Sequence, residues 1–280
     1  AVFTATGDFT GSVEGAEPDG QGYVPIPVKE VAINGTPVIA ETLTAVVKPA
    51  NGSTVPEEDY ATAFTYQWAR GDASNGPFTD LPGETNRTYS PVADDDNKFL
   101  RVTVKTVEGK GYNGGGDSIP IIIGKATLSI RSAADWNKYF GTQEKQDIYR
   151  TSNINILKDF SFSSEAQALP LGTSSSKPFL GNLNGNGFNV SGVTIPLIGY
   201  MGNGDAENQP SVREVYLSGT LTNFYKETTG GMLVASGSSV VIDNCYVLVT
   251  EAATYTAGNA GIMFGKLDNA TVTRCQTETA

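Results

Sequence analysis

The chain contains no histidine. That removes the commonest general base, the imidazole of a catalytic triad and the commonest zinc ligand. Any catalysis would fall to carboxylates, Tyr, Lys or Arg. Cysteine is scarce as well: two in 280 residues form neither a disulfide framework nor, alone, a metal site. Basic residues number 19 against 30 acidic ones, a net charge of −11, which makes nucleic acid and anionic membrane poor partners. No apolar run approaches the roughly 18 residues of a membrane span. No metal, cofactor or membrane span is therefore expected.

Glycine and proline are plentiful, at 32 and 14 residues. With many Thr, Ser and Asn, they indicate short strands and turns, an all-β chain. The strongest internal signal is a repeat. Shifting Ser211–Val240 by 30 residues brings Val212, Val215, Leu217 and Gly219 onto Ile242, Cys245, Val247 and Val249. Tyr216 falls on Tyr246, Tyr225 on Tyr255, and Gly231-Met232-Leu233 on Gly261-Ile262-Met263. A third copy opens with Val272, Cys275, Thr277 and Thr279. A gapless period of this length predicts stacked coils, and its alternating apolar residues predict parallel strands with one buried face: a β-helix.

The text before it differs. Ala1–Gly22 is rich in Gly, Asp, Glu and Thr and reads, with the residues up to 27, as a lead-in or tether. It opens without Met, as a chain with its leader removed would. From Val28, short β runs are broken by turns: Val28–Ile33, Thr42–Val47, Phe64–Trp68, Lys98–Val107 and Ser118–Ile123. This spacing predicts a β-sandwich over residues 28–124. Gly124–Ser129 then reads as a hinge, and residues 125–280 as the β-helix. Ser132-Ala133-Ala134-Asp135 matches a capping box. It opens a helix whose Trp136, Tyr139 and Phe140 share one face, and which is expected to cover the open end of the first coil.

Two resemblances follow. Leu43-Thr44-Ala45, Tyr66-Gln67-Trp68, Thr88-Tyr89 and Ala93-Asp94-Asp95-Asp96 before Phe99–Val104 resemble the immunoglobulin-like repeats of bacterial surface proteins. In such domains the central Trp plugs the core, a role that falls to Trp68. Phe179–Phe188, Pro196–Gly199, Gly231–Leu233 and Gly261–Gly265 are similar to the GLUG-motif, pectin-lyase-like right-handed β-helices of bacterial surface proteins. Asn184 stands where that family has Asp, and Gly261–Gly265 alone keeps both end glycines. These resemblances imply an extracellular or cell-surface location.

Candidate site residues are few. Asp94-Asp95-Asp96-Asn97 offers oxygens for calcium, but consecutive turn residues point in different directions, so an acidic turn is the expected role. Asn182, Asn184, Asn186 and Asn189 are expected to satisfy turn backbone or to stack. The glycines of the coils are assigned to corners that need positive φ or close backbone approach. Cys245 and Cys275 are expected as stacked, free, buried thiols. Glu214 and Asp243 are the nearest carboxylate pair for glycosidase chemistry, yet Arg213, Glu214, Asp243, Asn244, Thr273 and Arg274 read as solvated corner residues of mixed sign. The tyrosines remain. Tyr216 with Tyr246, one residue off the inward positions, and Tyr225 with Tyr255 form two ladders that offer rings to a sugar or a partner protein. The sequence thus reads as a non-catalytic adhesion or glycan-binding surface protein. A host or matrix protein is a second partner class, and a polysaccharide lyase or hydrolase, or a fragment of one, is the alternative function. Ala280 falls early in the third copy, and an uncapped coil is expected to invite chain–chain pairing.

Overall fold

A computed structural model describes residues 24–163, 165–220, 229–251 and 259–280. The chain is all-β, with a β-solenoid of about four turns in its second half. Tyr225, Tyr255 and the lead-in up to residue 23 lie outside the described residues.

The first part carries two sheets. One orders Thr88–Tyr89, Leu43–Pro49, Ile26–Asn34 and Tyr112–Asn113. The other orders Phe78–Asp80, Phe64–Gly71, Phe99–Thr106 and Gly115–Asp117, with Ile121–Ile122 also paired to Phe99–Thr106. Alternation decides what is buried. Leu43, Ala45 and Val47 from the first sheet, and Tyr66, Trp68, Leu100, Val102 and Val104 from the second, join one apolar core. Trp68 is completely buried, packs its ring 5.5 Å from that of Tyr89, and donates its indole N–H to the Asn86 carbonyl at 2.9 Å. A short helix, Glu57–Thr62, adds Tyr60 to the same core.

The acidic turn is spent on structure, one carboxylate at a time. Asp95 is fully buried and accepts hydrogen bonds from Tyr89 Oη (2.6 Å), Val92 N (2.9 Å) and Arg70 Nη1 (3.1 Å). Its neighbours face the other way: Asp94 pairs with Arg150, and Asp96 sits 3.7 Å from Lys125 Nζ. Burial raises the Asp96 carboxyl above its ordinary value. Backbone bonds tie the same junction, since Ile39 N donates to Gly124 O (3.0 Å) and Gly124 N to Pro37 O (2.9 Å).

The solenoid begins at Thr127–Ile130. Ser132 caps the next helix, Ala133–Phe140, by accepting from Asp135 N at 3.1 Å, and Asp135 reaches back to Arg131 N at 2.9 Å. Trp136 and Phe140 are completely buried, and Trp136 meets the Phe162 ring edge-on at 6.1 Å, so the helix seats its aromatic face on the first coil. A second helix, Gln143–Tyr149, follows at once. Its Gln146 is buried and bonds the carbonyls of Phe140 and Pro170 and the N–H of Gly172, sealing backbone groups that the coil end would leave open. Among the described residues, no helix is long and apolar enough to cross a membrane.

Three long stacked sheets and a two-stranded one, Thr229–Gly230 with Asn259–Ala260, make the described coils, each strand parallel to the next. The first runs Thr127–Ile130, Asn153–Ile156, Asn182–Asn184, Ser211–Arg213, Val241–Asp243 and Thr271–Thr273. The second runs Phe160–Ser161, Asn189–Val193, Tyr216–Gly219, Tyr246–Val249 and Gln276–Thr279. The third holds Ile198–Met201, Val234–Ser238 and Phe264–Asp268. The expected 30-residue register holds residue for residue: Ser211 pairs with Val241 and then Thr271, and Tyr216 with Tyr246 and then Gln276. Inside runs an aliphatic ladder of Leu128, Ile154, Leu183, Val212 and Ile242, all buried. Each such side chain contributes about 1.5–3 kcal/mol by leaving water.

The coil glycines serve two ends: Gly187 and Gly192 have positive φ, at 74° and 68°, and others sit where backbones crowd. Gly231, Gly261 and Gly265 do not have positive φ. What excludes a side chain is crowding: a Cβ on Gly265 would lie 2.3 Å from the Ala235 carbonyl oxygen. Gly181 is tighter still, at 1.9 Å from the Ser152 oxygen. Gly181→Ala is therefore expected to cost about 3 kcal/mol, the upper end for overpacking, because the obstacle is backbone that cannot rotate away. Urea unfolding of the full chain measures it, and a loss below about 0.5 kcal/mol would show that the coils yield.

Candidate functional site

The site is built at the corner between the first and second solenoid sheets. The first-sheet strands end at Arg213, Asp243 and Thr273, and the second-sheet strands begin at Tyr216, Tyr246 and Gln276. Two residues bridge each gap, and the first of them turns the chain by adopting positive φ: Glu214 at 53°, Asn244 at 52° and Arg274 at 52°. Glycine takes other left-handed positions in the coils, Gly187 at 74° and Gly192 at 68°, and leaves this corner to other residues. Asn tolerates that conformation, whereas Glu and Arg adopt it at a cost. The turn is held by backbone bonds between coils, Glu214 N to Asp243 O (3.1 Å) and Asn244 N to Thr273 O (3.0 Å).

Immediately after the corner comes the tyrosine ladder. Tyr216 and Tyr246 are half-buried while Leu217 and Val247 beside them are completely buried, so alternation turns the two rings outward. The ladder reads Asn189, Tyr216, Tyr246, Gln276 across four coils. The ring centroids are 6.3 Å apart with planes at 81°, an edge-to-face pair rather than a flat stack. Tyr246 Oη donates to Glu278 Oε2 at 2.5 Å, a bond that raises its hydroxyl pKa above the ordinary value. A cleft of about 590 Å³ opens beside the rings, lined by Tyr216, Asn244, Cys245, Tyr246, Arg274 and Gln276.

Asp243 organises the polar side of this cleft. It is buried, and its oxygens accept from Thr273 Oγ1 (2.7 Å), Arg274 Nε (2.9 Å), Arg274 Nη2 (2.5 Å) and Arg213 Nη1 (3.4 Å). The Arg274 contact is a two-bond fork, the strongest geometry for this pairing. Four of the residues expected as independent solvated corners, Arg213, Asp243, Thr273 and Arg274, are thus one network with a buried carboxylate at its centre. The signal was present in register: positions 213, 243 and 273 stack as Arg, Asp and Thr.

Other candidates are occupied by the fold. Asn182 donates to Asn153 Oδ1 (2.9 Å) and accepts from Ser211 Oγ (2.8 Å). Asn184 Oδ1 takes the Asn186 N–H (3.0 Å), and Asn186 Nδ2 reaches the Ile156 carbonyl (2.9 Å). The backbone N–H of Asn189 donates to Asp159 Oδ1 at 2.8 Å. Cys245 and Cys275 are free thiols, the first buried and the second partly so. They repeat one pose, each donating to the carbonyl two residues earlier, at 3.4 Å and 3.2 Å. Burial pushes the Cys245 thiol up to about 12, which leaves it inert as a nucleophile. Among the described residues, no group of three or more Cys, Asp or Glu side chains is placed to hold a metal ion. Of the two predicted tyrosine pairs, Tyr216 and Tyr246 are brought together, and Tyr225 and Tyr255 fall outside the described residues. Neither a family model nor a curated protein matches the sequence.

The network makes a pH prediction. Hydrogen bonds from Arg274 and then Thr273, reinforced by the guanidinium charges, hold the Asp243 carboxyl at about 2, below its ordinary value of 3.8. A carboxyl depressed on folding stabilises the fold fully above about pH 5 and loses that contribution as pH falls through its unfolded and then its folded value. The melting temperatures of the wild type and Asp243→Asn should therefore differ most at neutral pH and converge between about pH 4 and pH 2. A difference that stays constant with pH would rule out the ionised hub.

Proposed function

We propose that this chain is a non-catalytic bacterial cell-surface protein that binds a glycan on the outward corner of its solenoid. In this reading residues 28–124 are an immunoglobulin-like spacer, the solenoid is of the GLUG-motif kind, and the location is extracellular. The observation that carries it is the half-buried Tyr216–Tyr246 pair set beside a polar cleft. Aromatic rings give a sugar its apolar contact, and the amides of Asn244 and Gln276 supply donors and acceptors for hydroxyl groups at the edge.

The electrostatics favour binding over hydrolysis. Glycoside cleavage by two carboxylates needs one of them held protonated as the acid. Asp243 has the opposite character, ionised down to about pH 2 and forked to Arg274. Glu214, the carboxylate paired with it in the sequence, sits exposed at the corner. A scaffold alone supplies no activity.

Each ring in such a platform contributes on the order of 1 kcal/mol, and two together amount to at least a tenfold change in affinity. The double variant Tyr216→Ala/Tyr246→Ala should therefore weaken glycan binding tenfold or more with little movement of the melting temperature. Unchanged affinity, or a large loss of stability, would assign the ladder to the scaffold instead.

A further inference from the structure

Two guanidinium groups stand at the edge of the tyrosine cleft, Arg213 and Arg274, with side chains 50% and 71% exposed. At first sight they form a trap for the carboxylates of an acidic glycan. Their contacts argue otherwise. Both converge on Asp243, and Arg274 spends its Nε and one Nη on the fork. Arg and carboxylate in this geometry satisfy each other, and a second carboxylate would have to compete with a bidentate, largely desolvated partner.

The surroundings add negative charge rather than positive. Glu214 is exposed one residue after Arg213, and its charge acts on Arg274. Glu278 is exposed at the rim and takes the Tyr246 hydroxyl proton as a hydrogen-bond acceptor at 2.5 Å. Two cations are thus set against three carboxylates on this face, within a chain of net charge −11. Like-charge contact across an interface suppresses the wrong partner more than opposite charge strengthens the right one.

From this charge balance we infer that the cleft selects neutral, hydroxyl-rich glycans and excludes uronate- and sialate-bearing ones, with Asp243 as the residue that sets the exclusion. The inference rests on the glycan-binding reading above. Asp243 acts as a positioning residue. It pairs with both guanidinium groups and offsets their charge toward ligand carboxylates, while Tyr216, Tyr246, Asn244 and Gln276 remain to receive sugar rings and hydroxyls. A basic pair that would otherwise recruit anions is neutralised in place.

The test is a printed array holding neutral, uronate-containing and sialylated glycans, probed with the full chain and with Asp243→Asn. The wild type is expected to bind among the neutral glycans alone. Asp243→Asn frees both guanidinium groups and should gain at least tenfold in affinity for the uronate and sialate members, with a salt dependence that neutral binding lacks. Circular dichroism checks that the variant is folded. If it is not, Glu214→Gln/Glu278→Gln removes flanking charge without touching the buried carboxylate, and should move acidic-glycan binding upward by threefold or more. Wild-type binding to acidic glycans equal to or stronger than to neutral ones would overturn the inference and leave the glycan reading standing. No binding to any glycan would remove both. A folded variant with unchanged preference would remove Asp243 from the role.

Discussion

The solenoid depends on one constraint: each coil must present its backbone to the next in register. Parallel strands stacked about 4.8 Å apart satisfy one another's N–H and C=O groups only when residues at the same position coincide. Once that is met, side chains have no freedom in where they fall. Val212 must lie over Ile242, Leu217 over Val247, and Tyr216 over Tyr246. The aliphatic ladder, the tyrosine ladder and the Arg–Asp–Thr column are one fact seen from the inside, the outside and the corner. The cleft exists because the corner is short and repeats without drift.

Stacking also creates a problem that the first half of the molecule solves. A coil has no partner at its beginning, so its core and backbone need a cover. Trp136 and Phe140 supply the apolar part of it, and Gln146 supplies the polar part by bonding two carbonyls and one N–H. On the far side of this cover lies the acidic turn. Asp95 faces into its own sheets, while Asp94 and Asp96 reach Arg150 and Lys125. Three consecutive identical residues take three directions because a turn fans its side chains out. The same fanning argues against a calcium shell, which requires convergence.

Much of this was legible in the sequence, for reasons that are physical. Period is the most legible property of all, since a stacked fold cannot hide its repeat, and Val215-Leu217-Gly219 over Cys245-Val247-Val249 gave both strand and register. Ser132 and Asp135 announced a helix by capping chemistry that is local in sequence. The second helix, Gln143–Tyr149, was missed, because its Thr142 cap contacts Lys145 without an acidic or amide partner reaching back. The Asp243 hub was missed for a different reason. Residues 213, 243, 273 and 274 look like ordinary surface residues when read singly, and only the register joins them. The left-handed corners at 214, 244 and 274 were not foreseen, because nothing in Glu214 or Arg274 advertises that the fold forces them there.

That last feature has a consequence for how such a surface changes over evolutionary time. A glycine corner would turn the chain at less backbone cost, roughly 1–2 kcal/mol per residue, but would leave the position blank. With Glu214, Asn244 and Arg274 the fold accepts the strain and keeps a side chain at each corner, and those of Asn244 and Arg274 line the cleft. Glu214 and Asn244 are held by backbone bonds to the next coil, whereas Arg274 is tied by its own fork to Asp243. A point substitution at 214 or 244 changes one side chain of the corner and leaves those backbone bonds in place. The corner column is accordingly the part of the molecule where a new specificity can arise by single steps, on a scaffold that already tolerates three unrelated residues in the same strained place.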